Sequence, residues 1–294
     1  KRSRNKERNM KELLKSTPEE PVCFVSANIV YAHHVEFCNT RYDPLHISII
    51  RPRSHFAYDP ARKALPVLAF LCGGAWVETD HNAWLAELSW FAKRGFLIAS
   101  IEYPITSSCR YPDNLVAVKQ AIRFLRANAE EFGIDRDHIF LMGESAGGYL
   151  ALMAGATADQ AEYKRGVYPE LSDAVSAVIS FYPPESPLTV FSPDLQHSGR
   201  KVQSVPPRYS LPIDAYLYPH VAETVSGKMP PTLLIHGTAD DLVPIENSEK
   251  IYSALLREGV QADFWMIEDA NHSDYRCFQS AVKERLLGYL QSNL

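Results

Sequence analysis

Ser145 sits at the centre of Gly143-Glu144-Ser145-Ala146-Gly147, a G-x-S-x-G spacing. An apolar strand pattern (His138 to Met142) precedes it and a helical pattern (Ala146 to about Ala154) follows. A serine at the tip of a sharp strand-to-helix turn is presented as a nucleophile, and small neighbours let strand and helix pack closely. A hydroxyl is a poor nucleophile alone, so this reading requires a histidine base and a carboxylate elsewhere in the chain. The same short pattern also arises by chance, and its context of strand before and helix after distinguishes this instance.

Two further places carry residues of the right type. One is the turn Gly237-Thr238-Ala239-Asp240-Asp241; the other is Asp269-Ala270-Asn271-His272. A third element, Gly73-Gly74-Ala75-Trp76, ends the apolar run Pro66 to Cys72. Two glycines after a buried strand let backbone N–H groups point into open space, as an oxyanion hole needs; a plain strand-ending turn reads equally well in isolation.

The elements that must position these groups alternate. Strands are expected at Leu45–Pro52, Pro66–Cys72, Phe96–Tyr103, His138–Met142, Val175–Tyr182, Thr232–His236 and Ala262–Ile267. Helices are expected at Ala83–Arg94, Asn114–Glu131, from Ala146, at Ile245–Arg257 and at Cys277–Leu290. Residues 1–20 read as a short charged helix or arm, and Arg53–Lys63 as a hairpin or loop. Residues 183–231 hold ten of the 20 prolines and little periodicity, which marks a Pro-rich lid or insertion over a site. The expectation is one α/β domain over 1–294, with a mostly parallel central sheet flanked by helices on both faces. In such sheets reactive groups gather at the carboxyl ends of strands. Gly73-Gly74, Ser145, Asp240 and His272 all follow expected strands, in the chain order Ser, Asp, His.

These motifs resemble the lipase/esterase branch of the α/β-hydrolases, near the hormone-sensitive-lipase-like and the feruloyl and acetyl-xylan-esterase-like carboxylesterases. The resemblance rests on Cys72-Gly73-Gly74-Ala75-Trp76, Gly143 to Gly148, His236 to Pro244 and His272, and spans roughly Tyr42 to the C-terminus, with the 183–231 insertion outside it. It implies Ser145 as nucleophile, His272 as general base and acid, and Asp240 as the group orienting His272. Asp241 is the bland alternative to Asp240, while Glu268 and Asp269 read as loop caps or surface charges. His236 matches a position that supports the acid turn. His33, His34, His46 and His81 read as structural or exposed. The implied oxyanion donors are the N–H groups of Ala146 and of Gly73, Gly74 and Ala75. Cys72 stands where the family's H-G-G-G motif has His, and Ala75 where it has the third Gly. Trp76, Tyr111 and Glu144 are candidate substrate contacts, with Tyr103, Tyr209, Tyr216 and Tyr218 as further aromatic wall.

The implied activity is serine carboxylester hydrolysis through an acyl-enzyme on small or carbohydrate-linked acyl esters, with no cofactor and no metal. The same triad serves formamidases and other amide hydrolases, and a non-catalytic ligand-binding hydrolase-like protein is the reading from a different class. Composition agrees with an ordinary globular protein of 294 residues, 46% hydrophobic and 22% charged. A net charge of −5 with mixed signs argues against a nucleic-acid surface. The apolar runs are strand-length, so no membrane span is expected. Five widely spaced cysteines without C-x-x-C exclude a disulfide framework or zinc site and suggest a reducing, cytoplasmic setting, with one Cys23–Cys38 disulfide left open. Secretion and a homodimer are also left open.

Overall fold

The buried strand pattern at Pro66–Cys72 becomes the middle of an eight-stranded sheet. The computed structural model describes residues 12–17, 19–35, 41–54, 63–191 and 215–294. Strands β1 (Cys23–Val35), β2 (Tyr42–Pro52), β3 (Leu65–Leu71), β4 (Leu97–Ile101), β5 (Ile134–Glu144), β6 (Ala177–Phe181), β7 (Thr232–Gly237) and β8 (Ala262–Ile267) lie in the order β1-β2-β4-β3-β5-β6-β7-β8. β1 and β2 pair antiparallel, and β2 pairs antiparallel with β4; every other neighbour is parallel.

The central strands are apolar on both sides because both faces are covered. Val67, Ala69 and Leu71 of β3 and Ile139 and Leu141 of β5 face one core. Helices α2 (Asp113–Ala127), α4 (Ala146–Ala156) and α7 (Glu246–Arg257) pack there through Leu115, Ile122, Leu150 and Leu255. Leu68, Phe70, Phe140 and Met142 face the opposite core, closed by α1 (Leu85–Ala92) and α8 (Ser280–Ser292) through Leu88, Phe91, Leu286 and Leu290. Each such side chain contributes about 1.5–3 kcal/mol when fully buried. Short helices α3 (Ala129–Phe132), α5 (Pro187–Phe191) and α6 (Val221–Thr224) complete the set.

Three sequence expectations need correction. β1 was not expected at all: Asn28 at φ 56° and register shifts at Ser26/Ile29 and Val30/Ala32 break its alternation, so no period of two is visible. The expected helix Asn114–Glu131 stops at Ala127, and a separate turn of helix, α3, leads to Gly133 at φ 69°. The strand carrying the G-x-S-x-G turn begins at Ile134, earlier than the apolar run starting at His138. Residues 12–17 are exposed and carry no regular structure; the rest of the expected arm up to residue 11 lies outside the described residues, as do 192–214 of the proposed lid and Cys38. Among the described residues, Cys23, Cys72, Cys109 and Cys277 form no disulfide with one another. Among the described residues no helix is long and apolar enough to cross a membrane.

Candidate active site

Ser145 links β5 directly to α4 and adopts φ 53°, ψ −122°, a conformation a non-glycine residue holds only when its surroundings impose it. Those surroundings are visible. The Ser145 N–H donates to the Phe181 carbonyl at 2.9 Å, and the Tyr149 N–H donates to the Ser145 carbonyl at 3.0 Å. A Cβ at Gly147 would run into the carbonyls of Leu71 and Cys72, and one at Gly143 into the backbone of Gly147 and Gly148. The G-x-S-x-G glycines are therefore demanded by close packing of α4 over β3 and β5.

His272 and Asp240 arrive from the loops after β8 and β7, which are tied to one another. Thr238 N–H donates to the Ile267 carbonyl at 2.9 Å, Ala239 N–H to the Ala270 carbonyl at 3.0 Å, and Asp241 N–H to Asn271 Oδ1 at 3.1 Å. The Ser145 hydroxyl lies 3.0 Å from His272 Nε2, and His272 Nδ1–H donates to Asp240 Oδ2 at 2.7 Å. Asp240 Oδ1 accepts the N–H groups of Leu242 (3.0 Å) and Val243 (2.8 Å), which fixes the carboxylate plane. Burial alone would raise the Asp240 carboxyl; hydrogen bonds from His236 and His272, with their nearby charge, overcome that and bring it down to about 2. It is Asp240, not Asp241, that meets the imidazole.

His236 is fully buried. Its Nε2–H donates to the Val243 carbonyl at 2.8 Å, because a carbonyl can only accept, and Nδ1 accepts from the Ser248 hydroxyl at 2.7 Å. The Tyr182 ring meets His272 edge-on at 4.7 Å between centroids.

A cleft of about 190 Å³ opens beside Ser145 and His272, lined also by Gly74, Ala75, Trp76, Glu144, Pro184, Val190, Leu242 and Val243. Its walls are mainly apolar. Gly74 (φ 128°), Ala75 (φ 52°) and Trp76 (φ 62°) form a tight turn there, and Val77 and Glu78 donate N–H groups back to the Gly74 carbonyl at 3.0 and 3.1 Å. Ala146 is the first residue of α4, so its N–H is one of the four helix-opening amides without an intrahelical acceptor.

Several expected contacts sit elsewhere. Gly73 cannot offer its N–H to a ligand, since that group donates to the Glu144 carboxylate. Glu144 borders the cleft, but its carboxylate is buried and occupied by Gly73 rather than turned to a substrate. Tyr111 does not line the cleft; its ring packs on Tyr218 at 4.7 Å, and Tyr218 in turn packs on Trp76 at 5.8 Å. Tyr103 also lies behind the wall, its hydroxyl donating to the Cys72 carbonyl at 2.6 Å. Tyr216 is 73% exposed, and Tyr209 falls outside the described residues. Sequence reasoning missed Tyr182, Pro184, Val190, Leu242 and Val243. The first two immediately follow β6, so the rule that placed Ser145 and Asp240 at strand ends would also have found them. Among the described residues no group of three His, Cys, Asp or Glu side chains could hold a metal ion.

Residues 57–255 match the BD-FAE family model. Esterase LipC of Mycobacterium tuberculosis is 32% identical over 201 residues, covering 67% of this chain and 50% of that protein. The chain thus spans about half the length of the curated relatives it matches. Among solved structures, a truncated carbohydrate esterase from gut microbiota superposes with a TM-score of 0.73 at 21% identity, covering 95% of this chain and 99% of the other. The esterase Est2 of the planctomycete Thermogutta terrifontis gives a TM-score of 0.66 at 22% identity, with 91% and 90% covered. A mostly parallel sheet with a sharp strand-to-helix turn at Ser145 after β5, together with the extent of the family match, places this chain in the BD-FAE family of the α/β-hydrolase fold.

Proposed function

We propose that this chain is one catalytic domain that hydrolyses carboxylic esters through an acyl-enzyme on Ser145, with no metal or cofactor. The observation that carries this reading is the continuous hydrogen-bond chain from Ser145 Oγ through His272 to the buried Asp240 carboxylate, opening on a cleft. Ser145 Oγ attacks the ester carbonyl while His272 Nε2 takes its proton. Asp240 holds the imidazole so that Nε2 faces the serine, and stabilises the imidazolium that forms. The oxyanion is received by the N–H of Ala146 and by the Gly74–Ala75 turn, Gly73 being committed elsewhere. His272 then protonates the leaving alcohol, and a water activated by His272 releases the acid.

The cleft supports small or carbohydrate-linked acyl esters, with acetyl, feruloyl and short-chain groups as the candidates. Trp76, Val190, Leu242 and Val243 supply an apolar wall. Pro184 and Val190, from the start of the stretch after β6, belong to that wall, which supports a part in substrate selection for this segment.

The test is turnover of p-nitrophenyl esters from acetate to palmitate, of methyl ferulate and of acetylated xylan, with labelling by a fluorophosphonate. Wild type should turn over short or feruloyl esters and label at one site. Ser145→Ala should lose labelling and at least about 10⁴-fold in kcat. A folded wild type inert on every ester, or a Ser145→Ala variant that keeps its rate, would overturn the reading.

A further inference from the structure

Glu144 precedes Ser145 at the end of β5 and is 5% exposed, a carboxylate buried one residue from the nucleophile. Its Oε1 accepts the Gly73 N–H across 71 residues of chain, and the Cys72 thiol lies on the same oxygen at 3.8 Å. The contact admits no side chain at position 73, because a Cβ there would run into the Glu144 carboxyl group. The turn that follows is strained, with Ala75 and Trp76 both at positive φ. Such a turn persists only when several contacts over-determine it. Those contacts are the Glu144–Gly73 hydrogen bond, the Tyr103 hydroxyl on the Cys72 carbonyl at 2.6 Å, and the two amides closing on the Gly74 carbonyl. Cys72 itself offers only a weak thiol donor where the resembling family has an imidazole.

We propose that Glu144 is a positioning residue of the oxyanion turn. Its carboxylate anchors the Gly73 amide and so fixes where the Gly74 and Ala75 backbone lies relative to Ser145 Oγ. One side chain thereby couples the two halves of the site, since it grows from the strand that carries the nucleophile and grips the strand end that carries the oxyanion turn. Burial raises the Glu144 carboxyl, against the Gly73 amide and the charge of His272, which favour its ionised form. This proposal rests on the ester-hydrolase reading above and extends it.

Two substitutions separate reach from charge. Glu144→Gln keeps an acceptor oxygen at full length and loses the charge, whereas Glu144→Asp keeps the charge and falls short of Gly73 by one methylene. kcat and KM for p-nitrophenyl acetate would be measured for both, with inhibition by an alkyl trifluoromethyl ketone, whose serine adduct carries the oxyanion, and folding followed by circular dichroism. Glu144→Asp should lose about 100-fold in kcat with KM within threefold, the scale of one missing oxyanion donor. Its inhibition constant for the ketone should rise in parallel, because only oxyanion-bearing states are affected. Glu144→Gln should regain at least tenfold of that loss. The proposal fails if both variants stay within threefold of wild type in kcat, if Glu144→Asp outperforms Glu144→Gln, or if the loss falls on KM alone. If wild type itself turns over no ester, the functional reading fails first, and the two failures are told apart by that control.

Discussion

The Asp240 carboxylate serves two imidazoles: Oδ2 lies 2.7 Å from His272 Nδ1 and 3.2 Å from Nε2 of the fully buried His236. His236 is therefore part of the frame that aims Asp240, as its place in the His236 to Pro244 segment implied. Replacing it with Ala leaves the Val243 carbonyl and the Ser248 hydroxyl without their partner and opens a cavity. His236→Ala should lower stability by about 2–4 kcal/mol in urea unfolding and reduce kcat about tenfold. Unchanged unfolding would show that the packing around Asp240 does not depend on this ring.

The Asp240 carboxyl, held at about 2 in the folded chain, links the site to acid stability. In an unfolded chain an Asp titrates near ~3.9, so the native state favours the ionised form. The resulting stabilisation is fully present above the unfolded value and is lost as pH falls from there toward 2. It amounts to about 2–3 kcal/mol. The gap in unfolding free energy between wild type and Asp240→Asn should therefore shrink between pH 5 and pH 2. A gap that stays constant over that window would contradict the depressed carboxyl.

Gly147 packs against the end of β3, with no room for a methyl group before the Leu71 and Cys72 carbonyls. Backbone oxygens in a central strand cannot step aside, so Gly147→Ala should push α4 away and shift Ser145 relative to the Gly74–Ala75 turn. The expected result is a loss of about 1–3 kcal/mol in stability. A displacement on the order of 1 Å should lower kcat about 100-fold. A Gly147→Ala protein with the wild-type rate would mean the elbow is less tightly specified than its contacts imply.

Away from the site, Lys119 Nζ and Arg123 Nη1 both meet the Asp173 carboxylate, at 2.8 and 3.0 Å, with all three side chains fully buried. Lys119 also donates to the Thr157 carbonyl at 2.7 Å, and Arg123 to the Arg165 carbonyl at 2.6 Å, so the cluster joins α2 to the loops after α4. Asp173→Ala leaves two buried cations without their shared anion and should cost about 3–5 kcal/mol. Urea unfolding would measure this, with kcat of the folded fraction unchanged.

Much of this protein was legible in one dimension. The apolar runs that became β3, β5, β6 and β7 are continuous because both faces of the sheet are covered there, and continuity can be read without coordinates. Ser145, Asp240 and His272 were legible as candidates because each follows an expected strand, and strand ends are where this topology gathers its loops. β1 was not legible, since its bulges erase the alternation that marks a half-buried strand. Nor was the Lys119–Asp173–Arg123 cluster, because no local pattern shows that α2 turns Lys119 and Arg123 inward onto Asp173 from a separate loop.

Residue types and their order along the chain thus determined the α/β-hydrolase fold, the elbow and the chain order of Ser145, Asp240 and His272. Only the tertiary structure decided that Glu144 grips Gly73 instead of facing a ligand, that Tyr111 stands behind Tyr218 rather than in the cleft, and that His236 shares the carboxylate of Asp240. The physical reason is range. Hydrophobic period and turn chemistry are set by neighbours in sequence, whereas a hydrogen bond spanning 71 residues depends on where two strands end beside each other in the sheet.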